Sequence, residues 1–474
     1  MSDGKSINER PPSSYELRGN YWKDVTLDQW RDWHWQMKNS VRTADQLRQI
    51  IHLTADEEEA IRRRPELKMS ITPHFAALMD PDDPRCPIRL QVVPTMAEFA
   101  LDDPDLTDPL GEDAHMPVPG LVHRYPDRVL IDITDQCVSY CRHCTRRRLV
   151  GTGAMPVTRA RTELIARYLE AHPEVRDALI SGGDGFFIND EMLDFVLDRL
   201  RRVKSLEIIR FGTRVPIFLP QRVTDRLLST LKKYHPIWVN IHINHTKELT
   251  PEVREACARL ADAGIPLGSQ TVLLAGINDC PNLMKNMMRQ LVQMRVRPYY
   301  IYQCDLSQGI GHFRTPVSVG ISIMEALRGH TTGFAVPTFV VDAPGGGGKI
   351  PVMPNYFMSM NDHKVVLRNF EGTITTYTEA PVYHRHDKAT CEFCQKTDGK
   401  HEGVARLLEG EQVVLEPEGL HRKDQRRTRE IDAAVLPRAH SPRLDPEYTT
   451  DSDAAPIPLV DLGIGGGGGA AGGE

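Results

Sequence analysis

Asp135-Gln136-Cys137-Val138-Ser139-Tyr140-Cys141-Arg142-His143-Cys144 follows directly on an apolar, β-branched run, Val129–Ile133. The cysteines stand in the order CxxxCxxC. Three closely spaced thiolates suit an iron–sulfur cluster, because its irons prefer soft sulfur ligands. A cube of four irons held by three cysteines keeps one iron without a protein ligand, open to a small molecule. Structural zinc normally takes four protein ligands in two pairs. His143 is the available fourth, but it lies between two ligand positions, where the reach back is awkward.

Outward from this segment, short apolar runs alternate with helical periodicity. The strand candidates are Val129–Ile133, Ala178–Ile180, Glu207–Phe211, Trp238–Ile243, Leu267–Leu274 and Tyr299–Gln303, with helix-like segments such as Asp190–Val203 and Pro251–Ala263 between them. Such alternation predicts an α/β fold, a parallel sheet with helices outside, either open or curled. Six units suit a partial barrel, whose chemistry would sit just after the strands. Residues 1–120 read as a helical region with proline breaks, and its Trp22, Trp30, Trp33 and Trp35 as packing anchors. The barrel is expected over 121–345 and a small C-terminal segment over 346–415. Residues 416–474 are charged and then glycine-rich, a composition that predicts a disordered tail.

Two further motifs fall near strand ends. Ser181-Gly182-Gly183-Asp184 follows the second strand candidate, and glycine there would expose backbone donors to a carboxylate or amine. A plain turn has the same composition. Asp342-Ala343-Pro344-Gly345-Gly346-Gly347-Gly348-Lys349 is the second. It is not a phosphate-binding P-loop, which would need Gly in place of Ala343 and Ser or Thr in place of Ile350. A hinge is one alternative. The other is a lysine presented by a bare turn to an aldehyde cofactor, with which its amine can form a Schiff base.

Composition narrows the classes. The 474 residues include 58 basic and 64 acidic side chains, a net charge of −6, which argues against a nucleic-acid or anionic-membrane partner. Hydrophobic residues make up 40 %, enough for a sizeable core. The polar start, MSDGKSINERPPSS, lacks the apolar centre of a signal peptide, and no run approaches the ~18 apolar residues of a membrane span. A cytoplasmic protein is expected, and its nine cysteines are read as thiols or metal ligands rather than disulfides.

CxxxCxxC after the first barrel strand, with SGGD after the second, resembles the radical S-adenosylmethionine superfamily. That resemblance implies a 4Fe–4S cluster on Cys137, Cys141 and Cys144, with S-adenosylmethionine on the open iron. It implies S-adenosylmethionine contacts at Ser181, Gly182, Gly183, Asp184, His242 and Gln270. The stretches IYQCDLSQGIGHFRTPVS, LRGHTTGFAVPTFVVDAPGGGGK and PVMPNY narrow it further. From about residue 20 to 420 the chain is similar to the lysine 2,3-aminomutase family. By that likeness Lys349 is the pyridoxal 5′-phosphate lysine, with Arg124, Tyr125 and Tyr302 near the cofactor. Arg146 would pair with the substrate α-carboxylate, and a guanidinium fork suits that group. Asp305 and Asp342 would hold a distal cation, since two acids facing one pocket need one to stay ionised.

The implied activity is a radical migration of the α-amino group to the neighbouring carbon of a basic amino acid. Lysine is the favoured substrate. Arginine is the alternative, because Gly185-Phe186 and Asn240–His245 depart from the family's usual wording. Other radical chemistry and a non-enzymatic zinc module are more distant readings. The likeness also suggests zinc on Cys280, Cys391 and Cys394, but its fourth place, two residues before Cys391, is Ala389; the alternatives there are His384 or His386, water, or an empty site. A one-electron donor such as flavodoxin or ferredoxin, and a homodimer or homotetramer, complete the expectation.

Overall fold

The computed structural model describes residues 11–63, 65–102, 104–382 and 389–396. These fall into two compact units that divide between Met353 and Pro354.

The first unit is built on one sheet. Its strands are β1 (Leu121–Tyr125), β2 (Arg128–Thr134), β3 (Asp177–Gly182), β4 (Ile208–Thr213), β5 (Ile237–His242), β6 (Leu267–Leu273), β7 (Val296–Gln303), β8 (Thr338–Ala343) and β9 (Gly348–Pro351), in spatial order equal to chain order. β2 to β8 run parallel. β1 and β9 add antiparallel edges. The sheet curls into a partial barrel with mixed α/β architecture. All six strand candidates are present, and β8 adds a seventh parallel strand.

Alternation explains the curl's two faces. Ala178 and Ile180 of β3 are fully buried beneath helices, whereas Asp177, Leu179 and Ser181 face the interior cavity. On β5, Ile237, Val239 and Ile241 are likewise buried. A strand's side chains point to opposite faces in turn, so one residue set makes core and the other makes site.

The crossovers include α1 (Arg159–Ala171), α2 (Asp190–Arg201), α3 (Asp225–Lys232), α4 (Pro251–Asp262), α5 (Pro281–Gln293) and α6 (Val317–Leu327). Their starts are specified locally: Asn189 accepts from the Met192 N–H, and Thr250 caps α4 with Pro251 in its first turn. Met192, Leu193, Val196, Leu197 and Leu200 put one stripe of α2 against the sheet. Each such side chain contributes roughly 1.5–3 kcal/mol on burial. Residues before β1 form short helices, among them Ala55–Arg63, joined to the barrel by buried ion pairs such as Arg142–Glu98 at 2.5 Å.

The edges β1 and β9 meet without a ladder. The Lys349 N–H donates to the Tyr125 hydroxyl at 3.1 Å, and Arg124 Nε donates to the Gly346 carbonyl. The second unit contains an antiparallel sheet of β10 (Phe357–Met360), β11 (Lys364–Arg368) and β12 (Ile374–Thr378), followed by a short helix at Glu392–Lys396. Among the described residues, no helix is long and apolar enough to cross a membrane.

Candidate active site

A cavity of about 480 Å³ opens inside the curl. Its lining brings together Cys137, Cys141, Cys144, Ser181, Gly182, Gly183, Asp184, His242, Gln270, Arg124, Tyr125, Tyr302, Arg146, Asp305, Asp342 and Lys349. They come from ends of strands distant in sequence, so the curl rather than any local motif assembles the site.

One wall carries sulfur. Burial, then the charge of neighbouring thiols, pushes Cys137 well above its ordinary value and Cys144 up to about 11. Arg214, from the turn after β4, donates to Cys141 Sγ at 2.9 Å. The far side of its guanidinium reaches Gln91 and Glu248. His143 is buried; its Nε2 faces Asn244 Nδ2 at 3.2 Å, and His242 lies beside it with ring centroids 5.3 Å apart. Burial, then Arg214, depresses His242 to about 3, so both rings stay neutral donors and acceptors near pH 7.

The SGGD segment works differently from its sequence reading. The Gly183 N–H is engaged by the Thr134 carbonyl and the Asp184 N–H by the Gln136 carbonyl, so neither is a waiting donor. A Cβ on Gly183 would collide with the Gln136 backbone. Glycine is needed there because the cysteine loop lies against it. Asp184 is also occupied: its oxygens accept from Thr213 Oγ1, Phe186 N, Arg214 N and Val215 N, fastening the β4 turn.

The opposite wall carries amine and carboxylates. Lys349 Nζ lies 3.2 Å from both oxygens of Asp342 and 5.4 Å from the centre of the Tyr302 ring. Burial, then the charge of Asp342, pushes Asp305 up to about 7. Gly348 takes φ +86°, and a Cβ there would stand 3.0 Å from the Tyr125 hydroxyl. Glycine is needed there because the Tyr125 ring lies against the turn that leads into Lys349. Gln270 Nε2 donates to the Tyr302 hydroxyl at 3.4 Å.

Arg146 lies between the walls. Its Nε and Nη2 clasp Glu112, the latter at 2.6 Å, while Nη1 is 3.5 Å from Ser181 Oγ. Sequence reading missed Glu112, Asp132 and Arg214. No motif marks them; a charge brought to another charge by folding leaves no spacing signal.

The side chains whose unusual identity kept arginine open, Phe186, Ile241 and Ile243, are not among those lining the cavity. Phe186, Ile241 and Ile243 are fully buried, and Phe186 packs on Phe211 at 4.9 Å between ring centres. They fill core, so they give no reason to choose a guanidinium substrate. Of the zinc candidates, Cys280 is exposed at the start of α5 in the first unit. Cys391 and Cys394 bracket the start of the last short helix, in the second unit. Among the described residues, no three His, Cys, Asp or Glu side chains are gathered to hold a metal ion. His384 and His386 lie outside the described residues.

Residues 131–285 match the radical S-adenosylmethionine superfamily, and residues 324–440 match the C-terminal lysine-2,3-aminomutase family. An L-lysine 2,3-aminomutase of Acetoanaerobium sticklandii is 54 % identical over 411 residues, covering 86 % of this chain and 99 % of that protein. The chain belongs to the lysine 2,3-aminomutase family. The L-lysine 2,3-aminomutase of Clostridium subterminale is 52 % identical over 418 residues, 88 % of this chain and 98 % of its own. A more distant member, glutamate 2,3-aminomutase of Clostridioides difficile, is 41 % identical over 357 residues, 75 % of this chain and 84 % of its own. As a lysine 2,3-aminomutase family member with a radical S-adenosylmethionine domain, the chain is an isomerase. Membership implies a 4Fe–4S cluster and S-adenosylmethionine.

The sulfur wall fits such a cluster. Cys137 and Cys144, pushed up by burial and by each other's charge, are poor anions alone and good ones beside a cation. The three thiols need not converge on one point, since a cubane spreads its irons over several corners.

Proposed function

We propose that the chain isomerises L-lysine to its β-amino acid, moving the α-amino group to the adjacent carbon. The observation that carries this reading is the placement of the Lys349 ammonium against Asp342, with Asp305 beside it. A primary ammonium on an alkyl stem is the chemistry of the lysine side chain. When Lys349 is engaged elsewhere, two acids are left that a substrate ammonium would satisfy.

In this reading Cys137, Cys141 and Cys144 hold the 4Fe–4S cluster. Ser181, Gly182, Gly183, Asp184, His242 and Gln270 form the S-adenosylmethionine region, Gly183 and Asp184 by shaping the loop. Lys349, Arg124, Tyr125 and Tyr302 hold pyridoxal 5′-phosphate in the cavity that all four line. When bound, these groups together supply a carbon-centred radical and a π-system able to carry the migrating nitrogen. The chain's own residues do the rest. Arg146 fixes the α-carboxylate, Asp305 and Asp342 fix the far end, and the curled sheet limits water around the reacting carbons. Two fixed ends hold the α- and β-carbons at one depth, which positional selectivity requires.

Residues 121–345 form the catalytic barrel behind the helical region 1–120, and 346–415 carry the cofactor lysine and subunit contacts. The protein works in the cytoplasm as a homodimer or homotetramer and takes its electron from a flavodoxin or ferredoxin.

Anaerobic turnover of lysine, arginine and glutamate side by side tests the substrate. Lysine should react fastest and glutamate not at all; β-glutamate formation would overturn the reading.

A further inference from the structure

The guanidinium of Arg146 has two usable edges. The Nε–Nη2 edge is filled by Glu112, at 2.9 and 3.1 Å from Nε and 2.6 Å from Nη2. Asp132 stands on the same side, 3.7 Å from Nε, fully buried and with neither carboxylate oxygen hydrogen-bonded. Nη1 points the other way, toward Ser181 and the cavity. Burial alone would make this arginine easier to deprotonate; Glu112 and Asp132 outweigh it and hold the charge. Two acids thus anchor one edge and leave the Nη pair facing the space where a third carboxylate would enter.

Glu112 is itself held. Its N–H donates to Asp108 Oδ1 at 3.1 Å, and the next N–H, of Asp113, donates to Asp108 Oδ2 at 3.0 Å. Asp113 grips Arg148, the second residue after Arg146, through both nitrogens at 3.0 and 3.1 Å. On its other flank, the Pro109 carbonyl accepts from the Gly345 N–H at 2.9 Å, and Gly111 packs on Gly345. One short segment, residues 108–113, therefore braces the arginine after the third cysteine and the glycine turn before Lys349.

We propose that Glu112 is a positioning residue: it locks Arg146 side-on so that the Nη1–Nη2 edge receives the substrate α-carboxylate end-on. It does not compete with the substrate for the guanidinium, because the two carboxylates use different edges. An arginine released from Glu112 would keep its charge and lose its aim, and a bidentate pair depends on aim. The inference rests on the proposed assignment of Arg146 to the α-carboxylate.

Equilibrium dialysis with radiolabelled L-lysine tests it, on loaded wild-type enzyme, E112Q, R146Q and the double variant. Glu112→Gln should weaken lysine binding about tenfold in the wild-type background and hardly at all when Arg146 is already Gln. In turnover, E112Q should raise KM more than it lowers kcat. 1,5-Diaminopentane, which keeps both amines and lacks the carboxylate, should displace the label equally well from wild type and E112Q when scaled to lysine occupancy. Tighter or unchanged lysine binding in E112Q would overturn the proposal by making Glu112 a competitor or a bystander. Equal losses in both backgrounds, or for the diamine, would reduce Glu112 to a fold-maintaining residue. A wild type that binds no lysine would defeat the lysine reading itself, and this inference with it.

Discussion

The cavity's two walls face the same electrostatic difficulty and meet it differently. On the carboxylate wall, Asp342 already has a cation of the chain's own, the Lys349 ammonium. On the sulfur wall, Arg214 reaches one thiol, while Cys137 and Cys144 are held protonated by burial and mutual proximity. An acid paired within the chain is stable as folded; a crowded group of thiols in a cavity wall is completed by a cation from outside. The walls should therefore load independently, and that independence can be broken by experiment.

The largest effects are reciprocal. Cys137→Ser should abolish turnover and iron and sulfide uptake yet keep the pyridoxal absorbance. Lys349→Ala should abolish turnover and shift or remove that absorbance yet keep the iron. If either variant lost both groups together, the walls would be one cooperative unit. Asp305 gives an intermediate test. Its carboxyl, pushed up to about 7 by burial and then by Asp342, is largely protonated below that pH and ionised above it. A cationic substrate favours the ionised form, so lysine affinity should rise with pH, by up to about tenfold per unit below pH 7, and level off above. Asp305→Asn should flatten this difference; dialysis between pH 5.5 and 8 measures it. The smallest effect belongs to the second cysteine group. Cys391→Ser should leave iron content and the pyridoxal band unchanged, and metal analysis of wild type and variant reports whether zinc depends on that side chain.

The sulfur wall was the more legible of the two in the sequence. CxxxCxxC is a local spacing, and Val129–Ile133 before it has a strand's composition, so motif and element supported each other. The carboxylate wall was reachable through family likeness, since Asp305, Asp342 and Arg146 are ordinary charged residues until the sheet curls. Glu112 was out of reach altogether: it shares its stretch with Asp102, Asp105, Asp108 and Asp113, and nothing local says which acid meets a guanidinium. β8 and β9 were hard to see because prolines and glycines interrupt their neighbourhood. Phe186, Ile241 and Ile243 misled in the other direction, since an unusual residue near a motif draws attention even when its side chain only fills core.

The peptide of residue 349 does a second job that its side chain conceals. Because its N–H hangs on the Tyr125 hydroxyl, the seam between the first and last strands of the curl is sewn at the lysine proposed to carry the cofactor. If Nζ takes up the cofactor as proposed, deuterium uptake at that one amide gauges whether the mouth of the barrel is drawn tighter.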